Sequence, residues 1–320
     1  MPFFSLTVPS DFHESERLDK YIAHAQKTMN RSKLKSGVTE IWINGKKAKM
    51  SQKVSANDQI DIQWEDNIPD DIEAENIPLD IIYEDENVTV VNKAQGMVTH
   101  PACGNWNGTL VNALLYHWGR EKISQIKEGE VSEILAKRRP GIVHRLDKDT
   151  SGIIITAKNR ESEEWLCQQF AQRKTQKEYI VICTGRPKEK CGDIRTQIIR
   201  DPKNRQKFKA STNTEDGKYA RTIYHCIACY GNYSLMRVRI KTGRTHQIRV
   251  HMKYLGCPIL GDNIYNKQDS LFPNAKLMLH SVQLKIQLLN EKTFRTFKTS
   301  TPQRFLEVEK KLKRLFPKEV

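Results

Sequence analysis

An acidic stretch at residues 65–80 constrains the fold most, because it divides the chain into two parts. It is rich in Asp and Glu, is marked by two prolines, and lies within the interval from Lys53 to Lys93 that contains no other Lys or Arg. Low apolar content and like charges favour an extended, mobile linker over a folded element. We therefore predict a small domain at residues 13–64, a linker at 65–80 and a larger body at 81–320.

The two parts of the chain differ in charge. Up to Asn92 there are 10 Lys and Arg against 17 Asp and Glu, a net charge of −7. From Lys93 onward the counts are 43 and 21, a net charge of +22. A basic body of this size predicts a polyanionic partner, with nucleic acid as the first candidate and a membrane surface as the second. No basic amphipathic helix stands out to support the membrane alternative.

The sequence shows no targeting, anchoring or cofactor motif. Residues 1–4 lack a basic leader region, and no apolar run approaches the roughly 20 residues of a membrane span. Seven scattered Cys fit a reducing cytoplasm. Cys226 and Cys229 form a Cys-x-x-Cys, but no second pair has zinc-site spacing, so we favour two ordinary residues of an apolar stretch. Glycine-rich nucleotide-binding loops are also lacking. We expect a cytoplasmic protein that needs no metal and no organic cofactor.

Residues 13–64 have the pattern of a compact α+β domain. In order, the predicted elements are a helix opened by residues 16–22, a second helix from residue 31, a strand at 41–43, an Asn-Gly turn at 44–45 and a strand at 60–62. This order of motifs resembles the S4 RNA-binding module, although Asn57-Asp58 stands where a Gly-Asp turn is common. The resemblance implies an RNA-facing helix and hairpin that carry Arg31, Lys33, Lys35, Asn44, Gly45 and Lys46.

The body has many strand patterns and few helical ones. Strands are predicted at 81–83, 88–91, 152–157, 179–183 and 234–240, a strand pair at 276–288, basic hairpins within 194–224, and helices at 111–118, 162–173 and 245–252. The polar segment 119–139 is interpreted as an insertion. This pattern predicts an α+β fold with a mixed, largely antiparallel β-sheet and flanking helices.

The most polar part of the body is the run His-Arg-Leu-Asp-Lys-Asp-Thr-Ser-Gly at residues 144–152, which leads directly into an apolar strand. Asp147 lies between Arg145 and Lys148, and nearby cations favour the charged form of a carboxylate. An ionised Asp147 suits a nucleophile or a base rather than a proton donor. Taken alone, the run also fits a surface ion-pair cluster at the start of a strand, which is the more common case.

Three further clusters accompany this run. They are Asn-Lys at 92–93 leading to His-Pro at 100–101, Lys-Glu-Tyr at 177–179, and Gly-Arg-Thr-His-Gln-Ile-Arg-Val-His at 243–251 with Leu-Gly-Asp at 260–262. In this order they closely resemble the RluA family of pseudouridine synthases, over roughly residues 78–287. The chain departs from the family at Ala94, where a proline is usual. That departure leaves Lys93 in place and changes only the stiffness of the loop.

The resemblance implies that an RNA uridine is converted to pseudouridine without a cofactor. The bond from uracil to ribose is broken, the base rotates, and a new bond forms from C5. The resemblance implies Asp147 as the catalytic carboxylate, Arg244 as the arginine that pairs with it, and Tyr179 as the aromatic that stacks on the target base. It also implies that Arg145 replaces the flipped base in the RNA stack and that Leu279 packs beside the uracil.

The remaining basic and histidine side chains are given supporting roles. The hairpins should bind RNA phosphates through Arg195, Arg200, Lys203, Arg205, Lys207 and Lys209. We interpret His144, His246 and His251 as hydrogen-bonding residues of the structure rather than as catalysts.

The combination of S4 module and body most resembles family members that act on 23S rRNA of the large ribosomal subunit. The same reaction on tRNA is an alternative. An inactive S4-type RNA-binding protein is another, against which the intact set of Asp147, Tyr179 and Arg244 argues. An N-glycosylase, which would leave an abasic ribose, is a third. We expect a monomer that binds RNA and neither a membrane nor a metal.

Overall fold

The protein consists of two compact units, Met1–Asp70 and Asp71–Val320. The structure, a computed structural model, describes residues 3–13, 15–25, 34, 38–64, 71–101, 105–120, 122–124, 141–204 and 206–317. Within these ranges, no helix has both the length and the apolar character that crossing a bilayer requires. The predicted contacts Arg31, Lys33 and Lys35, the helix predicted from residue 31 apart from Leu34, and most of the 119–139 insertion lie outside the described residues.

The small unit is a four-stranded antiparallel sheet packed against one described helix. Its elements are β1 (Phe3–Thr7), β2 (Glu16–Arg17), α1 (Leu18–Ala25), β3 (Val38–Ile43), β4 (Lys46–Lys47), β5 (Lys53–Val54) and β6 (Gln59–Trp64). The sheet order is β1-β6-β3-β4, and β2 pairs separately with β5. Alternate apolar residues of β3 and β6, including Ile41 and Ile60, join Leu18 and Ile22 of α1 in one core.

The predicted start of this unit at residue 13 is wrong. β1 pairs with β6 along its whole length, from Phe3 opposite Gln63 to Thr7 opposite Gln59. The unit therefore includes residues well before the predicted boundary. A strand whose partner lies more than fifty residues along the chain (Phe3 opposite Gln63) has no local turn to mark it, because hairpin signals act only over short loops.

The second half of the predicted linker belongs to the large unit. Residues 71–73 form β7 (Asp71–Glu73), which pairs antiparallel with β10 (Lys122–Ser124). The backbone N–H of Glu75 donates to the carbonyl of Asn112 at 3.0 Å, and the carboxylate of Glu75 accepts from the backbone N–H of Gly108 at 2.9 Å. These hydrogen bonds correct the expectation of a mobile segment up to residue 80.

The large unit is built on a ten-stranded sheet. Its strands are β8 (Ile81–Glu84), β9 (Val88–Lys93), β11 (Ser151–Ala157), β12 (Gln176–Thr184), β13 (Cys191–Arg200), β14 (Phe208–Ser211), β15 (Lys218–Tyr230), β16 (Tyr233–Ile240), β17 (Leu279–Gln287) and β18 (Phe294–Lys298). The order is β14-β13-β15-β16-β12-β17-β11-β9-β8, with β18 on β17. Among the described strands only β11 and β17 pair in parallel, so the sheet is mixed and largely antiparallel, as predicted.

Four helices cover the two faces of this sheet. They are α2 (Leu110–His117), α3 (Arg160–Ala171), α4 (Gln247–Tyr254) and α5 (Gln303–Leu315). Along β11, Ile154 packs in the core that includes residues of α2, α4 and α5, whereas Ile153 and Ile155 pack in the core that includes Leu166 of α3. Successive residues of a strand point to opposite faces, so one fully buried strand divides the two cores.

Sequence periodicity predicted α2, α3 and α4 to within a few residues but did not predict α5. The predicted strand pair at 276–288 is also wrong in detail, because it is the single strand β17, whose hairpin partner is β18. Phe305, Val308 and Leu312 bury one side of α5 against the sheet, while Leu306 and Leu315 stay exposed.

Candidate active site

A cavity of about 430 Å³ lies in the large unit where the loop before β11, the first half of β12 and the turn before α4 meet. All five body residues expected at the site line this one cavity: Arg145, Asp147, Tyr179, Arg244 and Leu279. They come from segments that are far apart in the sequence and adjacent in the sheet. The cavity is therefore the place where their proposed roles would be carried out.

The loop that carries Asp147 is held by hydrogen bonds to its backbone carbonyls. The hydroxyl of Thr99 donates to the carbonyl of Leu146 at 2.9 Å, and the backbone N–H of Gly96 donates to the carbonyl of Lys148 at 2.9 Å. The side-chain amide of Gln95 donates to the carbonyl of Asp149 at 2.9 Å. The segment after Lys93 therefore holds the loop that carries Asp147 in place.

The loop ends at a position that only glycine can occupy. Gly152 has a φ of +112°, and a Cβ placed there would lie 2.3 Å from the backbone oxygen of Ser281. The close approach is part of the parallel pairing of β11 with β17, in which Gly152 lies opposite Ser281. This explains why the Thr-Ser-Gly turn follows the polar run in the sequence.

Lys93 is fully buried at the end of β9 and supports the same loop. Its Nζ donates to the carbonyls of Ala94, Met97 and Lys148 at 2.9, 2.8 and 3.2 Å. An ammonium has three N–H donors, so all of them are used. Burial lowers the pKa of Lys93 to about 7, while the negative charges of Asp147 and Asp149 act in the opposite direction.

A Lys93→Met variant is expected to be about 2–3 kcal/mol less stable than the wild type, because three buried carbonyls lose their donor although the side-chain volume is kept. The difference should grow with pH. Lys93 has a lower pKa in the folded chain than in the unfolded one, so between pH 7 and 10 the unfolded chain binds the extra proton and wild-type stability rises.

Urea unfolding of both proteins at pH 7 and pH 9 checks this expectation. The gap should widen by about 1 kcal/mol per pH unit. A gap that stays constant or narrows as the pH rises would contradict the lowered pKa of Lys93 in the folded chain.

The ion-pair partner of Asp147 is Arg249 rather than Arg244. Nη1 of Arg249 lies 3.6 Å from Oδ2 of Asp147, and Nε2 of His246 lies 3.9 Å from the same oxygen. Nε of Arg244 instead donates to the carbonyl of Tyr219 at 3.0 Å. The expected pairing with Arg244 is therefore wrong, although Arg244 does line the cavity.

Asp147 pairs with Arg249 rather than with Arg244 because of the position at which α4 begins. Arg249 lies within the first turn of the helix on its buried side, where the side chain is 5% exposed. There it forms a two-point pair with Asp262, with Nε to Oδ2 at 2.7 Å and Nη2 to Oδ1 at 2.8 Å. Arg244 lies in the turn before the helix, at the edge of the cavity. Both arginines belong to the same motif. A helical-wheel projection of residues 247–254 is the sequence signal that selects Arg249 as the partner, because it shows which side of α4 faces the core.

Tyr179 is buried on β12 and lines the cavity beside Asp147. Burial and the charge of Asp147 raise the pKa of Tyr179 well above its usual value, while a hydrogen bond with Ser281 opposes the rise. The phenol is therefore neutral at physiological pH. Lys177, two residues earlier on the same strand, lines the cavity too, and burial lowers its pKa to about 8.

Two of the three motif histidines are engaged in hydrogen bonds within the fold. Nε2 of His144 accepts from the backbone N–H of Ile155 at 3.0 Å, and burial lowers the pKa of His144 to about 3. His251 is fully buried between the hydroxyls of Thr196 and Thr222. His246 differs, because it lies within 4 Å of Asp147 while its Nδ1 is 2.8 Å from the hydroxyl of Tyr265.

Neither the Cys-x-x-Cys pair nor Arg195 of the basic hairpins lines the cavity. Sγ of Cys226 is 3.5 Å from Sγ of Cys229, and in the described ranges no three His, Cys, Asp or Glu side chains are grouped as a metal site would need. On the hairpins, Arg195 pairs with Asp193 at 2.6 Å. Arg205 lies outside the described residues. Whether the hairpin cations bind phosphates stays a prediction.

This arrangement suits a carboxylate that acts on an electrophilic carbon or removes a proton. Asp147 is 23% exposed at the cavity and is faced by the buried guanidinium of Arg249 at 3.6 Å. The neighbouring phenol offers a flat, neutral surface on which a base can stack. Such a site can perform chemistry on a nucleotide that has been turned out of an RNA stack.

Comparisons with known proteins agree with this geometry. A family model described as RNA pseudouridylate synthase matches residues 87–254. Ribosomal large subunit pseudouridine synthase D of Borreliella burgdorferi is 43% identical over 296 residues, which cover 91% of this chain and 87% of that protein. The uncharacterized RNA pseudouridine synthase YlyB of Bacillus subtilis is 38% identical over 271 residues, covering 84% of this chain and 85% of that protein.

Among solved structures, human RNA pseudouridylate synthase domain containing 4 has a similar fold, with a TM-score of 0.55 and 21% identity over 73% of this chain and 92% of that one. The family model covers more than half of the chain, and the relatives cover most of it. The chain therefore belongs to the RluA-type RNA pseudouridine synthases, which are isomerases that act on RNA.

Proposed function

We propose that the protein converts specific uridines of large-subunit ribosomal RNA to pseudouridine, with Asp147 as the catalytic carboxylate. The observation that carries the assignment of Asp147 is its position at the cavity, 3.6 Å from the buried guanidinium of Arg249 and beside Tyr179. Two relatives named ribosomal large subunit pseudouridine synthase D, at 43% and 38% identity, support ribosomal RNA as the substrate.

The reaction is an isomerisation, so atoms and electrons balance within the nucleotide. The C1′–N1 bond breaks, the uracil turns, and a C5–C1′ bond forms. C5 loses its proton and N1 gains one. Asp147 starts the sequence either by attacking the ribose or by removing the C2′ proton, and both routes need the carboxylate charged.

The other cavity residues position the base. Tyr179 stacks on the uracil, and Leu279 packs beside it. Arg145, which is exposed at the cavity, takes the place of the extruded base in the RNA stack, a role that suits a planar cation. Arg249 keeps Asp147 oriented, and Arg244 remains a contact for the RNA at the edge of the cavity.

Two measurements test the proposal. Pseudouridine is mapped in total RNA from cells with and without the protein, and tritium release is measured from C5-labelled transcripts of the RNA that loses a pseudouridine. Loss of a site in large-subunit rRNA, with release above the Asp147→Ala background, supports the proposal. A lost site in tRNA would overturn the ribosomal substrate, and recovery of abasic ribose would overturn the isomerisation.

We further propose that the small unit is an S4-type module and that the protein works in the cytoplasm as a monomer. The Asn44-Gly45 turn, with both φ angles positive, places Lys46 and Lys47 exposed on β4. The amide of Asn44 is engaged internally, since it donates to Asp58 and accepts from the backbone N–H of Gln59. Its role is therefore to brace the hairpin. All five residues expected at the site line one cavity within a single chain, which is compatible with a monomer, and the six described cysteines are free thiols, as is usual in a reducing compartment.

A Lys46→Gln, Lys47→Gln double variant should bind the mapped RNA more weakly while kcat stays unchanged, because the hairpin belongs to the small unit and contributes no residue to the lining of the cavity. The slope of log affinity against log salt concentration should become shallower by about one for each phosphate that the variant no longer neutralises. Filter binding over a range of salt concentrations measures this slope. Lys298→Gln, an exposed lysine of the large unit on β18, is the matched control, and equal slopes in all three proteins would contradict RNA binding by the hairpin.

A further inference from the structure

A second cavity of about 740 Å³ adjoins the catalytic one. We call it the flanking cavity. It is formed by β13, β14, the start of β15 and the turn at residues 243–245. Gly243, Arg244 and Thr245 line both cavities, so these three residues form the wall between them. A strand of nucleic acid that leaves the catalytic cavity over this wall enters the flanking cavity directly.

The lining of the flanking cavity combines cations with one aromatic ring. Arg200, Lys209, Lys218 and Arg244 contribute four positive charges against the single carboxylate of Asp216. That carboxylate accepts a hydrogen bond from the side chain of Asn213 at 3.1 Å. Cations bind phosphates, and an aromatic ring stacks on any base because every base has a π-face.

The aromatic ring is Phe208, the first residue of β14. It is half-buried, and the guanidinium carbon of Arg200 lies 4.8 Å from its ring centroid. The ring also contacts His246 edge-on at 5.6 Å, and its backbone N–H donates to the hydroxyl of Tyr265 at 2.9 Å. Packing against Ile198, Val250 and Tyr265 holds Phe208 in place, and a base that stacks on the ring takes the position over it that the guanidinium of Arg200 now occupies.

Arg244 is placed for the phosphate between two nucleotides. Its Nε–H is committed to the carbonyl of Tyr219, which fixes the plane of the guanidinium in the shared wall. An arginine has five N–H donors, so further donors remain for a phosphate in a fixed, forked geometry. Because Arg249 pairs with Asp147, Arg244 is not required at the carboxylate.

We propose that the flanking cavity binds the nucleotide next to the target uridine, with its base stacked on Phe208 and the connecting phosphate held by Arg244. The inference rests on the proposed action on an RNA uridine and adds a second nucleotide subsite to it. The enzyme then recognises an RNA segment in which two adjacent nucleotides are unstacked, which selects loops and junctions over continuous helices.

The test compares intact RNA with RNA in which one neighbour of the mapped uridine is abasic. The abasic nucleotide keeps the phosphate and removes only the stacking base. With the wild type, the replacement on one side of the uridine should lower kcat/KM about 5- to 100-fold, the usual worth of one stacked base. With Phe208→Leu, kcat/KM on intact RNA should fall similarly, and the abasic replacement should then have little further effect.

This design separates a subsite from a merely structural role. If Phe208 only supported His246, Phe208→Leu would slow both RNAs equally and the abasic effect would persist, which would overturn the proposal. The conservative Phe208→Tyr should retain the abasic effect. Phe294→Leu is the matched control, since Phe294 is a strand residue with a cation over its ring, Lys285, as Phe208 has Arg200, but it lines neither cavity.

The result of this test does not depend on whether the substrate is ribosomal RNA or tRNA. The comparison is made on whichever RNA loses a pseudouridine, so a tRNA target changes the substrate assignment without affecting this test. If neither neighbour of the uridine shows an abasic effect in the wild type, the flanking cavity does not bind a base and the inference fails. The same result is expected if an acidic protein segment, rather than a nucleotide, occupies the flanking cavity.

Discussion

An Arg249→Met variant is expected to lose about 10²- to 10³-fold in kcat and to be about 3–5 kcal/mol less stable than the wild type. The stability loss follows from Asp262, whose side chain is completely buried and forms a two-point pair with Arg249 at 2.7 and 2.8 Å. Without the guanidinium its charge is buried and unpaired. The activity loss follows from Asp147, which loses its nearest cation.

Urea unfolding measures the stability, and tritium release at a temperature where the variant is folded measures kcat. Arg249→Met combined with Asp262→Asn removes both buried charges while keeping an acceptor for the backbone N–H groups of Ile264 and Tyr265. The double variant should regain much of the stability and remain inactive. Arg244→Met is the matched control and should affect KM more than kcat. A larger kcat loss in Arg244→Met than in Arg249→Met would restore Arg244 as the partner of Asp147.

An Asp147→Asn variant is expected to lose at least about 10³-fold in kcat with a stability change within about 1 kcal/mol. The amide has nearly the same shape but cannot act as nucleophile or base. Stability should be little affected because Asp147 is partly exposed and its separation from Arg249 is long, at 3.6 Å, while Arg249 keeps its pair with Asp262.

Single-turnover tritium release measures the expected loss of activity, and urea unfolding measures the expected small change in stability. Asp149→Asn serves as the control, since its side chain lies in the same loop and does not line the cavity. It should remain within a few-fold of the wild type. Substantial activity in Asp147→Asn, or a comparable loss in Asp149→Asn, would argue that the carboxylate at 147 is not the reacting group.

Motifs identified the site better than they identified the pairings within it. Asp147 and Tyr179 could be selected because specific residue types occur in a fixed order along the chain. The pairing of Asp147 could not, because Arg244 and Arg249 lie in one motif and only the start of α4 decides which of them faces the carboxylate. Lys93 was visible as a charged residue after an apolar strand, but its three carbonyl partners come from two loops that meet only in the folded chain.

The boundaries of the two units were likewise predicted only where a local sequence pattern marks them. Composition predicted two units and an acidic connection, yet β1 and β7 lie outside the predicted limits because their partners, β6 and β10, are distant in sequence. Helix α5 differs, because its buried residues Phe305, Val308 and Leu312 recur at helical spacing, a local pattern that the predicted elements left out. Arg304 on this helix donates to the hydroxyl of Ser151 at the start of β11. Long-range pairings leave no local pattern, whereas helices and tight turns do.

By itself, the sequence determined the family, the mixed sheet with its flanking helices, and the residue types of the loop that carries Asp147, because these depend on local periodicity and on motifs in fixed order. Only the tertiary structure decided that Arg249 faces Asp147, that a buried lysine supports the loop, and that a second basic cavity shares a wall with the first. Those features depend on distances between segments that the chain brings together on folding, and such distances have no expression in local sequence.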